Sequence, residues 1–232
     1  MRIAVISDIH GNLYSLLRVL EDIDSQDADT IICLGDLVGY GPHPNEVIAL
    51  IKKRNILCLK GNYDASVVDN DFTFIRRTNS NEFSLPWTVE ELRASNSYYL
   101  NSLPTELTMN ICDKKIKFVH GSPRKIDEYM DKNNLDKETI MSELTEDILV
   151  CAHTHIPSVE QFGDKMLIND GSIGKPKNGS SEATYILLDL YDGATPKVKV
   201  RKVEYDLTKI TKDMQMKKFP SSLITSYQTG RE

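Results

Sequence analysis

The strongest constraint on the fold is an alternation of short apolar segments with helical patterns in the first part of the chain. Residues 3–6, 30–34 and 56–59 are continuous, apolar and partly β-branched, as expected for strands buried on both faces of a sheet. Apolar residues recur at helical spacing over 13–23, and residues 46–53 form a second helical segment. This β-α-β-α-β order predicts a parallel sheet with right-handed crossovers.

The second half is patterned differently. Hairpins, further buried strands and one helix are predicted at 107–119, 135–144, 148–151, 166–168 and 184–205. Between the halves, residues 65–86 predict a short helix and a mobile loop. Thr88, followed three residues later by Glu91, predicts a capping box that starts a helix reaching Leu100.

Length and composition bound the class of protein. The 232 residues contain no repeat and no convincing linker, which favours one domain over 1–232, with an irregular or helical insertion at about 65–104. The predicted fold is α/β, with two packed β-layers flanked by helices. The hydrophobic content of 40% is that of a globular protein, and no membrane span or leader segment is visible, so a cytoplasmic protein is expected.

Charge and cysteine content exclude several partners and sites. A net charge of -6 argues against stable binding to nucleic-acid backbone. The four cysteines are far apart and lie in or beside apolar stretches, so they are interpreted as reduced core residues rather than as disulfides or thiolate ligands.

Polar side chains with metal-binding groups follow almost every predicted strand. They are Asp8, His10, Asp36, Asn62, His120, His153 and His155. In open α/β sheets, ligands bind outside the carboxyl ends of the strands, so these side chains are predicted to converge. Four of the five histidines of the chain occupy such positions.

These ligand types suit Mn²⁺, Fe, Zn²⁺, Co²⁺ or Ni²⁺ better than Ca²⁺ or a thiolate zinc site. Seven ligands are too many for one ion but are enough for two if a carboxylate bridges them, and Asp36 is the best placed to do so. Two ions about 3.5 to 4 Å apart stabilise the attacking and leaving oxygens of phosphoryl transfer. Hydrolysis of a phosphate ester is therefore predicted.

The order of these motifs resembles that of the calcineurin-like metallophosphoesterases, and especially small phosphodiesterase-type members from bacteria and archaea. The matching motifs are D-x-H at Asp8 and His10, G-D at Asp36, G-N-x-D at Asn62 and Asp64, H-G at His120, and H-T-H at His153 and His155. The resemblance implies an αββα sandwich of two mixed β-sheets, with the C-terminal strands in the second sheet. It also implies a two-metal centre, most simply with manganese.

In the family, one metal is held by the residues that correspond to Asp8, His10, Asp36 and His155. The other is held by those that correspond to Asp36, Asn62, His120 and His153. Together with Asp64, Tyr63 and His43, the residues Asp36 and Asn62 are the predicted catalytic residues. The expected nucleophile is a metal-bound hydroxide.

One position departs from the family pattern. Where larger phosphatases carry a histidine that protonates the leaving group and is oriented by the next aspartate, this chain has Tyr63, followed by Asp64. A tyrosine is a poor general acid near neutral pH. Either the substrate has a good leaving group, or His43 supplies the proton; the alternative is that His43 is an ordinary loop residue.

Contacts to the substrate are less constrained. Arg124 is a candidate for a phosphate contact or a solvated surface residue, and Arg76 and Arg77 for surface charge, a lid or an oligomer contact. Asn169 and Ser172 are candidates for orienting the ligand histidines.

The predicted activity is hydrolysis of phosphate mono- or diesters, with a small phosphate ester or nucleotide-like substrate and a possible homo-oligomer. A serine/threonine-type protein phosphatase and a dinucleoside polyphosphate hydrolase are alternatives. A binding module that has kept the fold but lost turnover is a further one. Filled ligand positions count against the binding module, and Tyr63 is the one feature in its favour.

Overall fold

Two five-stranded β-sheets form the centre of the computed structural model, which describes residues 1–231. The first sheet has the order β10-β9-β1-β2-β3, and its strands are β1 (Arg2–Ile6), β2 (Thr30–Cys33), β3 (Leu57–Cys58), β9 (Ala183–Asp189) and β10 (Lys197–Val203). The second has the order β4-β5-β6-β8-β7, from β4 (Glu106–Ile111), β5 (Lys114–Val119), β6 (Ile148–Cys151), β7 (Ser158–Phe162) and β8 (Lys165–Asn169).

Helices cover the outer faces of the sheets. They are α1 (Leu13–Asp24), α2 (Pro44–Lys53), α3 (Asn62–Asp69), α4 (Asn79–Glu91), α5 (Ala94–Ser102), α6 (Lys137–Glu143), α7 (Leu207–Met216) and α8 (Ser221–Thr229). None of the helices in the described part of the chain is both long and apolar enough to cross a membrane.

The apolar residues fall into layers that match this arrangement. Alternate residues of β1, such as Ile3 and Val5, pack with Phe118 and Val150 in a cluster that joins the two sheets. Ala4 and Ile6 point the other way and pack with helices of the first sheet. A smaller cluster packs α6 against the second sheet. The αββα sandwich of two mixed sheets is therefore confirmed.

The predicted parallel β-α-β-α-β unit is present. Strand β1 pairs in parallel with β2, and β2 pairs in parallel with β3. The placement of the C-terminal strands in the second sheet holds for β7 and β8 but is wrong for β9 and β10. Strand β9 is almost entirely buried and pairs antiparallel with β1, so the C-terminal hairpin extends the first sheet.

The capping box predicted at Thr88 is also wrong. The helix begins earlier, at Asn79, where the Thr78 side chain accepts a hydrogen bond from the Asn81 N–H at 3.2 Å. Thr88 is buried inside α4, and the chain becomes extended at Leu92. A proline within α4 hides its helical pattern, because proline in a helix interior is normally unfavourable.

Candidate metal centre

Loops at the carboxyl ends of strands from both sheets bring all seven predicted metal ligands together. Two buried groups each place three ligand atoms within 4.8 Å of one another. The first cluster, as we call it, is Asp8, His10 and His155, and the second cluster is Asp36, His120 and His153. The side-chain oxygen of Asn62, at the start of α3, lies 2.8 Å from His120 Nε2 and joins the second cluster.

The backbone around these ligands is conformationally unusual. Five of the seven, namely Asp8, His10, Asp36, His153 and His155, have positive φ angles between 46° and 66°. Such conformations cost of order 1–3 kcal/mol each in residues other than glycine, and they concentrate at functional sites. The loops hold one another in place: the His10 N–H donates to Asp36 O at 2.9 Å and the Asp8 N–H to Gly35 O at 3.0 Å.

In the first cluster, hydrogen bonds aim the lone pairs of two histidines at each other. His10 Nδ1 lies 3.0 Å from Val38 O, and His155 Nδ1 contacts Lys175 O, so both Nδ1 atoms donate and both Nε2 atoms are acceptors. The two Nε2 atoms are nevertheless only 3.3 Å apart. Asp8 Oδ1 lies 3.2 Å from His155 Nε2 and is buried without a hydrogen-bond partner among residues 1–231. Acceptors gathered in this way fit a cation between them.

The second cluster also gathers ligand atoms in a buried site. His120 Nδ1 donates to Leu34 O at 2.9 Å, and its Nε2 faces Asn62 Oδ1, to which it donates while the ring is protonated. The Asn62 amide is oriented by its Nδ2, which donates to Phe74 O at 2.9 Å. His153 Nε2 is buried and lacks a hydrogen-bond partner in the described chain. This donor set, imidazole nitrogen with carboxylate and amide oxygen, fits a divalent transition metal.

Asp36 lies between the two clusters. Its Oδ2 is 3.6 Å from His10 Nε2 and 3.5 Å from His120 Nε2, while its Oδ1 accepts a hydrogen bond from the Tyr63 N–H at 2.7 Å. Gly61 makes room for this carboxylate, because a Cβ at that position would lie 2.0 Å from Asp36 Oδ1. One oxygen is thus used to hold the side chain, and the other faces both clusters.

The charges of the cluster residues follow from burial and from each other. Burial opposes ionisation of Asp8, but His155 and the neighbouring imidazoles lower the pKa of Asp8 well below its ordinary value. Burial lowers the pKa of His153 to about 3 and that of His155 to about 4, which leaves both as neutral ligands. His120 is the exception: although burial opposes it, the charge of Asp36 raises the pKa of His120 to about 10.

Two further buried carboxyl groups lie behind the clusters. Asp64 accepts hydrogen bonds from the backbone N–H groups of Asp36 (2.8 Å), Leu37 (2.9 Å), Val38 (3.3 Å) and Gly61 (3.0 Å). It therefore shapes the loop that carries Asp36.

The other carboxyl group, Asp170, was not predicted. Ser7 Oγ lies 2.8 Å from Asp8 Oδ2 and 2.8 Å from Asp170 Oδ1, so the hydroxyl links the two carboxyl groups. The sequence could have indicated Asp170 as a site residue, because it follows strand β8 just as the other site residues follow their strands.

The two candidate general acids, Tyr63 and His43, both have hydrogen-bond partners outside the clusters. Tyr63 is 1% exposed, and its hydroxyl contacts Ser84 Oγ; burial raises the pKa of that hydroxyl. His43 does not line the cavity above the clusters, and its Nε2 lies 3.0 Å from Asp213 Oδ2.

Of the other candidate residues, Arg124 lies outside the cavity, whereas Asn169 and Ser172 lie beside the clusters. Arg124 pairs with Glu143 at 2.8 Å, outside the cavity. Asn169 Nδ2 donates to Ala152 O at 2.7 Å, and Ser172 Oγ donates to Asp8 O at 2.9 Å. Both residues therefore act on the backbone beside the ligands and do not contact the histidine rings.

The clusters form the floor of a cavity of about 560 Å³. Its walls come from the loop between α3 and α4, from the N-terminal part of α8, and from side chains that include Tyr40, Arg76, Asp127, Tyr129, Lys175 and Lys177. A cavity of this size suits a small-molecule substrate.

An αββα sandwich that gathers metal ligands from both sheets beneath such a cavity defines the class of metal-dependent phosphoesterases. The chain belongs to the calcineurin-like phosphoesterase superfamily, whose domain model matches residues 1–193. It is thus a member of a metal-dependent family of hydrolases that act on phosphate esters.

Individual relatives agree with this assignment. The protein MJ0912 of Methanocaldococcus jannaschii is 34% identical and covers 99% of this chain and 98% of its own. The phosphodiesterase YfcE of Escherichia coli is 25% identical over 82% of this chain and 88% of its own. The crystal structure of a metallophosphoesterase from Sphaerobacter thermophilus is 30% identical, covers 99% of both chains and superposes with a TM-score of 0.80.

Proposed function

We propose that the protein is a phosphoesterase with a dinuclear metal centre that hydrolyses mono- or diesters of small or nucleotide-like phosphates, with Mn²⁺ as the preferred metal. The observation that carries this proposal is the convergence of buried acceptors that lack partners. His10 Nε2 faces His155 Nε2 at 3.3 Å, and Asp8 Oδ1 beside them and His153 Nε2 in the second cluster are buried without a hydrogen-bond partner within residues 1–231. Without a cation, the His10–His155 pair brings two lone pairs together in a buried site, where such contacts are unfavourable.

The residues have distinct roles in this proposal. Asp8, His10 and His155 would hold one ion, Asn62, His120 and His153 would hold the other, and Asp36 would contribute to both. Bound ions of this kind lower the pKa of water, so that a hydroxide can act as the nucleophile, and they stabilise charge on the transferring phosphoryl group. Asp64 fixes the Asp36 loop.

The buried Tyr63 favours substrates with good leaving groups. Its hydroxyl contacts Ser84 and has a raised pKa, so it is a weak proton donor near neutral pH. Aryl phosphates, activated diesters and phosphoanhydrides need little protonation on departure. This observation supports the dinucleoside polyphosphate hydrolase as a second candidate, while a protein phosphatase has less support, because the alkoxide of a serine or threonine phosphoester is a poor leaving group.

The proposal is tested with purified protein that has been stripped of metal and reloaded with Mn²⁺, Zn²⁺, Co²⁺ or Ni²⁺. We expect metal-dependent turnover of bis(4-nitrophenyl) phosphate, and a loss of more than about a hundredfold in Asp36→Asn. The matched control is Asp69→Asn, which changes an exposed carboxylate on α3 and should behave like wild type. Absence of turnover with every metal, on mono- and diesters alike, would support the binding module instead.

We further propose that residues 1–232 act as a single metallophosphoesterase domain, since MJ0912 matches the chain over 99% of its length. A cytoplasmic location, the lack of stable membrane or nucleic-acid partners, and a homo-oligomeric state stay predictions.

A further inference from the structure

Two cation–aromatic pairs flank the metal ligands. On the side of the second cluster, the Arg76 guanidinium lies 5.2 Å from the ring centroid of Tyr129. The Tyr129 ring in turn packs on His153, with 4.1 Å between centroids and an interplanar angle of 37°. Arg76 is thus separated from a metal ligand by a single aromatic ring, and both residues line the cavity.

The first cluster has a counterpart. Lys175 Nζ lies 4.7 Å from the ring centroid of Tyr40, and the Tyr40 ring makes an edge contact with His10 at 4.8 Å between centroids. Lys175 is only 2% exposed and also lines the cavity. A lysine buried to this degree is unusual in a protein, and here it lies at the wall of the candidate active site.

Hydrogen bonds connect the backbone segments that contain Arg76 and Lys175 to the side chains of predicted metal ligands. Asn62 Nδ2 donates to Phe74 O at 2.9 Å, and Asn81 Nδ2 donates to Arg76 O at 2.7 Å, so the loop is attached both at Phe74 and at Arg76. Lys175 O accepts from His155 Nδ1, and the Lys175 N–H donates to Ser172 Oγ at 2.9 Å. Both cationic segments are therefore fixed relative to the centre, which favours a defined binding role over a mobile surface charge.

The charge of the cavity differs from that of the molecule. The chain has a net charge of -6, yet within residues 1–231 the charged side chains that line the cavity outside the ligand set are Arg76, Lys175, Lys177 and Asp127. A simple phosphodiester has one negative charge, which would lie on the metal centre. Cations placed beyond the ligands on both sides are suited to additional phosphoryl groups.

We propose that Arg76 and Lys175 determine specificity by binding anionic groups of the substrate beyond the phosphoryl group at the metal centre. The preferred substrates are then phosphoanhydrides, such as nucleoside or dinucleoside polyphosphates. This inference rests on the proposed phosphoesterase function. In the reaction, a P–O bond forms to the oxygen of water and the bridging P–O bond breaks, its electron pair leaving with the departing phosphate. The two protons of the water are released to solvent or to the products.

Binding of non-hydrolysed ligands tests the inference independently of turnover. The probes are AMP and adenosine 5′-(α,β-methylene)diphosphate, which differ by one phosphoryl group, titrated calorimetrically into the full Mn²⁺-loaded chain. Wild type should bind the diphosphate analogue at least about tenfold more tightly than AMP, because a charge-assisted hydrogen bond is worth that much or more. Arg76→Ala should remove this preference and change the dissociation constant of AMP by less than about twofold.

The adjacent Arg77 provides the matched control. It is also exposed and also stacks on an aromatic ring, with 4.2 Å to the Phe72 centroid, but it does not line the cavity. Arg77→Ala should retain the preference for the diphosphate analogue. Lys175→Gln should also reduce the preference for the diphosphate analogue. The melting temperature of this variant shows whether the substitution of a buried residue is tolerated. If it is not, the exposed Arg76 alone decides the test.

The outcomes separate this inference from the proposed function. If bis(4-nitrophenyl) phosphate is hydrolysed but Arg76→Ala weakens AMP and the diphosphate analogue equally, or weakens neither, the specificity role is overturned. If the ester is not hydrolysed but the Arg76-dependent preference is observed, the binding role stands and the enzymatic function fails.

Discussion

The two ligand clusters contain similar side chains but are supported by buried carboxyl groups in different charge states. Behind the second cluster, Asp64 accepts four backbone N–H hydrogen bonds. Behind the first, Asp170 has one side-chain contact with the Ser7 hydroxyl, and its Oδ2 is buried without a hydrogen-bond partner within residues 1–231. Burial and the charge of Asp36 raise the pKa of Asp64 to about 6, but its four donors oppose this and keep it a carboxylate at pH 7. A single hydroxyl does not compensate Asp170 for the loss of water around a charge.

Hydrogen counting leads to the same assignment. Ser7 has one hydroxyl hydrogen but lies 2.8 Å from a carboxyl oxygen on each side. One of these carboxyl groups must therefore be protonated. The pKa of Asp8 is well below its ordinary value, while burial and the charge of Asp8 raise the pKa of Asp170 well above it. Asp170 is thus the neutral acid, and it donates to Ser7, which donates to Asp8.

Asp64→Asn is expected to cause the largest loss. Oδ1 and Oδ2 of Asp64 each accept two N–H hydrogen bonds, so either amide orientation directs an NH₂ group at two backbone donors. The loop of Asp36 should be disturbed, with metal affinity at the second cluster weakened roughly 10–100-fold and unfolding free energy lowered by about 1–3 kcal/mol.

Metal titration and denaturant unfolding of the Asp64 variant measure both effects. Asp69→Asn, an exposed change on the same helix, is the control. Wild-type metal affinity in the Asp64 variant would show that the carboxylate does not support the centre.

The pH dependence of metal binding should also differ between the clusters. In metal-free protein, the pKa of His120 is raised to about 10, because Asp36 outweighs the effect of burial, whereas that of His155 is lowered to about 4. A metal binds only the neutral imidazole. Between pH 7 and 9, loading of the second cluster should therefore release a proton from His120, and its affinity should increase by up to about tenfold for each pH unit.

Calorimetry in buffers of different ionisation enthalpy counts the released protons. The proton assigned to His120 should disappear in His120→Asn, while loading of the first cluster should release none from His155. An unchanged proton count in His120→Asn would contradict the assignment.

Asp170→Asn is expected to have a small effect on activity, in contrast to Asp64→Asn. An amide is close in shape to a neutral carboxylic acid, and its NH₂ group can donate to Ser7 Oγ, so turnover should stay within about threefold of wild type. Asp170→Leu, which cannot donate to Ser7, is the comparison and should weaken metal binding at Asp8 by roughly tenfold. A loss in Asp170→Asn as large as that in Asp64→Asn would indicate that Asp170 is ionised.

The stability of the same variant depends on pH with a definite sign. The pKa of Asp170 is higher in the folded state than in the unfolded state, where it is about 3.9. The folded state therefore binds this proton more strongly, and the contribution of Asp170 to stability decreases as pH increases above that value. Relative to wild type, Asp170→Asn should become more stable as pH is raised from about 4 to 7.

The difference between the two supporting carboxyl groups also shows what the sequence could predict. Asp64 was identified because it follows Asn62 within a family motif. The seven predicted ligands were chosen because each follows a strand with a clear apolar pattern, and the structure brings their side chains together because the carboxyl ends of such strands meet. Asp170 follows a strand in the same way, but its role depends on a contact with Ser7, 163 residues away in the chain.

The least predictable parts are those whose local pattern conflicts with their tertiary environment. Helix α4 contains a proline, and its first residues are polar, so the pattern placed the start of the helix at Thr88 instead of Asn79. Arg76 lies on the loop before that helix and could not be assigned to the cavity. Helices α7 and α8 were not predicted, although α8 contributes to the cavity wall.

His43→Ala is expected to have the smallest effect on activity, because His43 lies outside both clusters. Its Nε2 is 3.0 Å from Asp213 Oδ2, the same oxygen that accepts a hydrogen bond from the Tyr14 hydroxyl at 2.7 Å. These contacts connect the start of α2 to α1 and α7, so the substitution should lower the unfolding free energy by about 0.5–1.5 kcal/mol. Turnover and the acidic limb of the pH–rate profile should remain those of wild type. Within residues 1–231 the His43 side chain has no hydrogen bond to a ligand, and alanine retains the bond from the backbone N–H of residue 43 to Gly11 O. A shifted acidic limb with unchanged metal affinity would instead show that His43 is the general acid, in a role for which Tyr63 is poorly suited. The catalytic residues would then extend beyond the two clusters.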